Sequence, residues 1–201
     1  MGITNKIFVL CMKGLEMESG ERLSQVFMEE IQPPVHIAIW VGPGHVQDFV
    51  KDIPNCMVID SDHMNITKLL VDSFGSEIIR FYYGQDLLGN EIGAAAKNVI
   101  GIAAGMLDGL GYSSLKGALM ARGTKEIARL VKAMGGNELT IYGLGHLGDY
   151  EATVKALLQL STKYDVELPI CQTVNSVLTQ GNDPKEQLIR LFMRPVKFEG
   201  I

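Results

Sequence analysis

Positive charge is in short supply. Lysine and arginine number 18 against 23 aspartates and glutamates, giving a net charge of −5 and an isoelectric point near 5.4. A general nucleic-acid or anionic-membrane binder carries a basic excess, so neither partner is suggested. A local basic pocket for a small phosphate stays open. Cysteine is scarce as well: Cys11, Cys56 and Cys171 are odd in number, far apart and set in apolar runs. That predicts reduced, buried thiols in a cytoplasmic protein. No cysteine pair has zinc spacing, and the four histidines form no HExxH pattern. Clean membrane-length apolar runs are missing. The longest candidate, Ile92 to Leu110, is broken by Lys97, Asn98, Asp108 and four glycines, which predicts a buried helix rather than a membrane span. The apolar run Ile7–Met12 is too short for a signal peptide and has no cleavage pattern.

What is present suits a globular protein. The 201 residues are 47% hydrophobic and 20% charged, enough for one ordinary domain or two small ones with a real core. Residues 7–12 (IFVLCM) read as a buried strand. Leu23, Val26, Phe27 and Ile31 trace a helix face, ended by Pro33-Pro34. Val35–Val41 reads as a second strand, stopped by Gly42-Pro43-Gly44. Cys56–Ile59 reads as a third. A helix follows on Ile66, Leu69, Leu70 and Phe74, with Gly75 as C-cap. Ile78–Tyr83 closes the set. The rhythm predicts part of a doubly wound, Rossmann-like parallel sheet over residues 1–88. From residue 89 to 201 the pattern becomes helical. Stripes run through Ile92–Leu110, Ile127–Met134 and Val154–Leu160, and Asp183-Pro184 before Lys185-Glu186 reads as a capped helix start. The expectation is α/β followed by all-α, the two packed closely.

Several residues carry possible chemistry. Lys13 ends the first strand and Gly42-Pro43-Gly44 ends the second, where ligands bind in open parallel sheets. A solvated lysine and an ordinary turn are the structural alternative. Lys97 lies off the apolar stripe, on a second one with Gly93, Gly101, Ala104 and Asp108. A charge in so apolar a helix needs a partner or a lowered pKa; pairing with Asp108 or another acid is the structural alternative. Gly143-Leu144-Gly145-His146-Leu147-Gly148 is a literal GxGxxG, preceded by the β-like run Leu139–Tyr142 and followed by Glu167 some twenty residues on. It is a candidate dinucleotide fingerprint. Against it stand the shortness of that run, Pro169 in the next one, and helical surroundings. Arg122 and Arg129 read as a solvated helix face, the ten methionines as core filler. His45, after the glycine turn, is a possible ligand contact.

Five blocks, in order, resemble one family. They are "LCMKGLEMESGERLSQV", "WVGPGHVQDF", "YYGQDLLGNEIGAAAKNVIGIAAGMLDGLG", "ALMARGTKEIARLVKAMGGNELTIYGLGHLGD" and "ELPICQTVNSVL". Together they resemble NAD(P)-dependent glycerol-3-phosphate dehydrogenases of bacterial type. The resemblance moves the GxGxxG into a helical substrate domain of the 6-phosphogluconate-dehydrogenase-like type and removes it from nucleotide binding. It implies an oxidoreductase using NAD or NADP. Lys97 becomes the general acid/base at the substrate C2 oxygen. Lys13 holds substrate and polarises the same centre, and Asp149 stands close to Lys97 as a third catalytic group. Gly42, Gly44, Asn98 and Thr153 line the substrate; Lys13 and Val46 touch the cofactor. A homodimer in the cytoplasm, without membrane insertion and feeding glycerophospholipid synthesis, is implied too.

Two departures stand out. The family's N-terminal glycine loop, which cradles the pyrophosphate on a helix N-terminus, has no counterpart. Nor has an Asn-Arg pair that follows the position of Thr153 and clamps the substrate phosphate. Losing that arginine loses bidentate recognition. One reading is therefore a working dehydrogenase completed by segments beyond this sequence. An alternative is a catalytically inactive fragment serving as a binding or oligomerisation module. A related phosphosugar or hydroxyacid dehydrogenase is a third.

Overall fold

Strand β1 (Lys6–Leu10) is the first element in a computed structural model that describes residues 5–31, 34–44, 49–146 and 154–194. Helix α1 (Leu23–Glu30) follows, then β2 (Val35–Val41), β3 (Asn55–Ser61), α2 (Met64–Phe74) and β4 (Ile79–Tyr83). The four strands form one sheet in the order β1-β2-β3-β4. β1 pairs parallel with β2, and β3 parallel with β4. Helices α1 and α2 are their crossovers, as the strand–helix–strand rhythm predicts. The middle junction departs from the expected parallel sheet: β2 and β3 are antiparallel, Ala38 facing Ser61 and Val41 facing Val58. The connection leaves β2 through the glycine turn, where Gly42 takes φ +141°.

Both sheet faces are covered, which is why β2 reads as a continuous apolar run. Ile37, Ile39 and Val41 join Leu10, Val58 and Ala94 on one side. Ala38, Met57, Ile59 and Phe81 meet Ile66 and Leu70 of α2 on the other. Trp40 stacks edge-on against Phe81, ring centroids 4.6 Å apart.

Helix α3 (Leu87–Gly109) is the spine. Its 23 residues are about 35 Å long. Its first turns sit on the sheet through Leu87 and Ala94. Farther along, Val99, Ala103 and Leu107 enter a separate helical core with α4 (Lys116–Ala133), α5 (Val154–Lys163), α6 (Pro169–Gln180) and α7 (Pro184–Phe192). Asp183 caps α7 as its spacing predicts, accepting Glu186 N–H at 2.8 Å, with Pro184 in the first turn.

Three expectations fail. The β-like run Leu139–Tyr142 lies in a 3₁₀ turn (Glu138–Tyr142) packed on α3 and α4, because its one buried apolar side chain, Ile141, is taken into the helical core. Cys171 is buried, whereas Cys56 is half-buried and Cys11 exposed; Cys11 lies just past the end of β1, outside the sheet's cover. Lys97 does not pair with Asp108, since eleven residues of helix separate them by about 16 Å; Asp108 binds Lys116 at 2.9 Å.

Candidate active site

Three polar clamps fix where α3 meets the sheet. Asp60, at the end of β3 and 1% exposed, accepts the Asp86 N–H at 2.9 Å and the Asn90 amide at 2.8 Å. Burial pushes its carboxyl pKa up, while the Asn90 bond and those from backbone N–H groups draw it down. Asp86 caps α3 through Gly89 N–H and also accepts Asn137 N–H and the Thr140 hydroxyl. That ties the 3₁₀ turn to the same helix start. The third clamp is Glu91. Its carboxylate accepts Ser24 N–H at 2.9 Å and Ser24 O–H at 2.7 Å, and meets the Arg22 guanidinium at 2.6 Å. Helix α1 is thus capped by a side chain from α3, which satisfies one of its orphan N–H groups. It also pins the β1–α1 loop, carrying Lys13 and Gly14, against α3.

Lys13, half-buried, shares a small crevice at the carboxyl ends of β1 and β2 with Val41, Glu91 and Ala94. The crevice holds about 10 Å³, room for a water molecule and no more. Above it the loop is open. Gly14 takes φ +140°, and nothing lies within 4 Å of where its β-carbon would be. Ala94 stands one helical turn before Lys97. Lys97 and Asn98 are 5% and 6% exposed.

Residues 143–146 lie across this part of α3. A β-carbon on Gly145 would stand 2.6 Å from Asn90 Oδ1 and 3.4 Å from the Val41 side chain; one on Gly93 would press on Ile141 and His146. Gly145 of this GxGxxG therefore serves close packing on α3, in line with the family resemblance and against a phosphate loop. His146 is 3% exposed, and its Nδ1 meets the Gly93 carbonyl at 2.9 Å. A carbonyl only accepts, so Nδ1 carries the hydrogen. Burial lowers the His146 pKa, and the nearby Lys97 charge lowers it further. The lowered pKa favours the neutral imidazole, in which Nδ1 carries the hydrogen and Nε2 is an acceptor.

The glycine turn after β2 has a packing role. A β-carbon at Gly42 would lie 3.0 Å from Met57 Cα, and one at Gly44 2.8 Å from Met57 Cε. Gly44 N–H bonds the Gly42 carbonyl at 3.0 Å, so Gly44 contributes smallness and this internal bond rather than a free N–H. Lys13 and Gly42 follow the carboxyl ends of β1 and β2, and the buried Lys97 and Asn98 lie on α3 one turn beyond the Ala94 that lines the Lys13 crevice. His45, Val46, Asp149 and Thr153 lie outside the described residues. Sequence reasoning missed Asp60, Glu91 and the neutral role of His146. The available signal was the Asn90-Glu91 pair opening an otherwise apolar helix.

Comparisons with known proteins converge. A family model described as NAD-dependent glycerol-3-phosphate dehydrogenase N-terminus matches residues 2–67, and its C-terminus counterpart matches 86–155. A Clostridium botulinum protein named glycerol-3-phosphate dehydrogenase [NAD(P)+] is 35% identical over 231 positions, covering 96% of this chain and 69% of its own length. One of the same name from Fusobacterium nucleatum is 33% identical, with 97% and 70% covered. The first alignment spans 231 positions but takes in only 96% of the 201-residue chain, so nearly 40 of its positions have no counterpart here. Among solved structures, the glycerol-3-phosphate dehydrogenase of Coxiella burnetii superposes with a TM-score of 0.86 at 24% identity, covering 92% of this chain and 68% of that one. A Dunaliella salina structure gives 0.77 at 16% identity, covering 92% and 40%.

Proposed function

Because this chain belongs to the NAD-dependent glycerol-3-phosphate dehydrogenase family, we propose that it interconverts sn-glycerol 3-phosphate and dihydroxyacetone phosphate, with Lys97 handling the proton at the C2 oxygen. The observation that carries this reading is a lysine 5% exposed beside a neutral His146, one helical turn beyond the Ala94 that lines the Lys13 crevice. In the oxidising direction the C2 hydroxyl loses its proton to Lys97 Nζ as hydride leaves the same carbon, and a ketone forms. In the reverse direction the Lys97 ammonium stabilises the developing alkoxide and returns the proton. Lys13 brings a second positive charge to the substrate. Asn98 lines the same end of the site, with Asp149 and Thr153 assigned there from the family resemblance. Gly42 lets the β2 turn come close.

NAD or NADP is the dinucleotide of the family, and when bound it supplies hydride acceptance and donation. The open space over Gly14 beside Lys13 fits its reacting end. The packed turn at Gly143–His146 does not fit its pyrophosphate. The chain thus holds the substrate side of the reaction. The same reading makes residues 1–88 a part of the dinucleotide-binding half and 89–201 the substrate and dimerisation half of a cytoplasmic homodimer that supplies glycerophospholipid precursors. No described helix is long and apolar enough to cross a membrane.

A second reading, a binding or oligomerisation module without turnover, is favoured by one observation. Among the described residues β1 pairs with β2 alone and β4 with β3 alone, so both edges of the sheet have no strand beside them. Dihydroxyacetone-phosphate-dependent oxidation of NADH and NADPH separates the two. Turnover that falls at least ~100-fold in Lys97→Ala, with an unchanged circular dichroism spectrum, supports the enzyme. No turnover with either cofactor favours the module.

A further inference from the structure

The register between β2 and β3 sets two histidines across from each other. Ala38 faces Ser61 and Trp40 faces Ile59, and the same register carried two residues further puts His36 opposite His63. Directly opposed side chains of an antiparallel pair stand about 5 Å apart at Cβ. The rings agree with that: their centroids are 5.2 Å apart and their planes perpendicular. Both residues are exposed. His36 belongs to β2, and His63 immediately precedes α2, where its side chain makes no capping hydrogen bond. The pair lies at the start of β2, about 20 Å of strand away from Gly42. It shares no residue with the site around Lys97 and Lys13.

Two imidazoles on one zinc ion have nitrogen–metal bonds of about 2.0–2.1 Å and a tetrahedral angle between them, which puts their ring centroids roughly 5 Å apart. The separation of His36 and His63 matches. Rotation about the bond to the ring is soft for histidine, so one nitrogen of each can turn to a common point without moving the backbone. Among the described residues no group of three or more His, Cys, Asp or Glu side chains gathers for a metal. The protein therefore supplies two ligands, and water supplies the rest. The dipole of α2 opposes a cation at its first turn, an effect that solvent weakens at an exposed position. Asp62, exposed and next to His63 in the chain, adds negative charge nearby.

We propose that His36 and His63 form a surface site for a divalent transition-metal ion such as zinc(II), which ties the start of β2 to the turn leading into α2. Imidazole nitrogen suits zinc, copper and nickel, whereas magnesium and calcium take oxygen ligands. An ion held by one ring is already beside the other, so the pair binds far more tightly than either ring alone.

Isothermal titration of the full chain with zinc chloride, in a non-chelating buffer with a phosphine reductant, tests this. The expected result is saturable binding that His36→Ala and His63→Ala each weaken at least ~10-fold. Neither change removes a capping bond or a buried side chain, so both variants should fold, and their circular dichroism spectra should match the wild type. Cys11→Ser, at the exposed thiol, should bind zinc as the wild type does. Protons compete for both ring nitrogens, so affinity should fall from about pH 7.5 to about pH 6. A saturating ion should raise the thermal midpoint of the wild type and leave that of His36→Ala unchanged, because the folded state alone holds the two rings together. Absence of saturable zinc binding, unchanged binding in either histidine variant, loss of binding in Cys11→Ser, or equal binding of magnesium each overturns the proposal.

Discussion

Glu91 and Glu126 do the same job in two different settings. Each is a buried carboxylate reaching from one helix to cap the N-terminus of another, Glu91 from α3 to α1 and Glu126 from α4 to α6. Glu91 also has a guanidinium at 2.6 Å and a serine hydroxyl at 2.7 Å. For Glu126 the Coulomb attraction of Arg129 is the smallest of the influences on it, and burial dominates, pushing its pKa up to about 7. The difference teaches that the cap alone does not hold a buried carboxylate ionised. An ion-paired cap suits the sheet end, where it ties the start of α1 to α3. The cap without a close cation leaves a group that titrates near neutrality at the far end of the helical half.

The largest effect is expected at Glu91. Glu91→Ala strands Arg22, removes the α1 cap and frees the Lys13 loop from α3. Breaking such a pair costs about 3–5 kcal/mol, because one buried charge is left uncompensated. Urea unfolding measures it, and a loss below about 1 kcal/mol would refute the clamp. Arg22→Ala/Glu91→Ala should lose less than the two single changes summed.

Glu126 should give a smaller effect with a distinct pH signature. Its folded-state pKa of about 7 lies above the ordinary 4.5, so between those values the folded state holds a proton that the unfolded state has released. Stability from this group is full below about pH 4.5 and is lost as pH rises through about 7, by about 3 kcal/mol in all. Glu126→Gln keeps a neutral acceptor for the α6 N–H groups and should flatten that decline. The variant should match the wild type near pH 5 and exceed it by 1–3 kcal/mol near pH 8. Parallel pH profiles for the two proteins in urea would sink the assignment.

Neither cap was legible in the sequence, and the reason is distance. Glu91 serves Ser24 across 67 residues, and Glu126 serves Ile170 across 44. What the sequence carried well was local. The strands Val35–Val41 and Ile79–Tyr83, the α2 face and the α7 start follow from runs and spacings of a few residues. The antiparallel return of β3 was not legible, because apolar alternation records burial and not strand direction. The GxGxxG was misleading by pattern alone: glycines spaced for a pyrophosphate also suit a turn pressed on Asn90, and only the chain's partners tell them apart. Lys97 was visible as a charge out of place. Its neutral neighbour His146 was hidden, since burial and the Gly93 carbonyl decide the imidazole's state.

Asp183 completes the series as the cap that is both local and exposed. It accepts Glu186 N–H three residues on, at 2.8 Å, with no buried charge involved. Glu186 is itself engaged with Arg190 at 2.6 Å on an open face. Solvent screens both groups, so neither a stranded charge nor a titrating burial follows when the cap is removed. Asp183→Ala should cost about 1 kcal/mol, the ordinary value of an N-cap, and urea unfolding reads it. A loss as large as that at Glu91 would mean that α7 depends on its cap more than on Leu188, which is 1% exposed in the helical core.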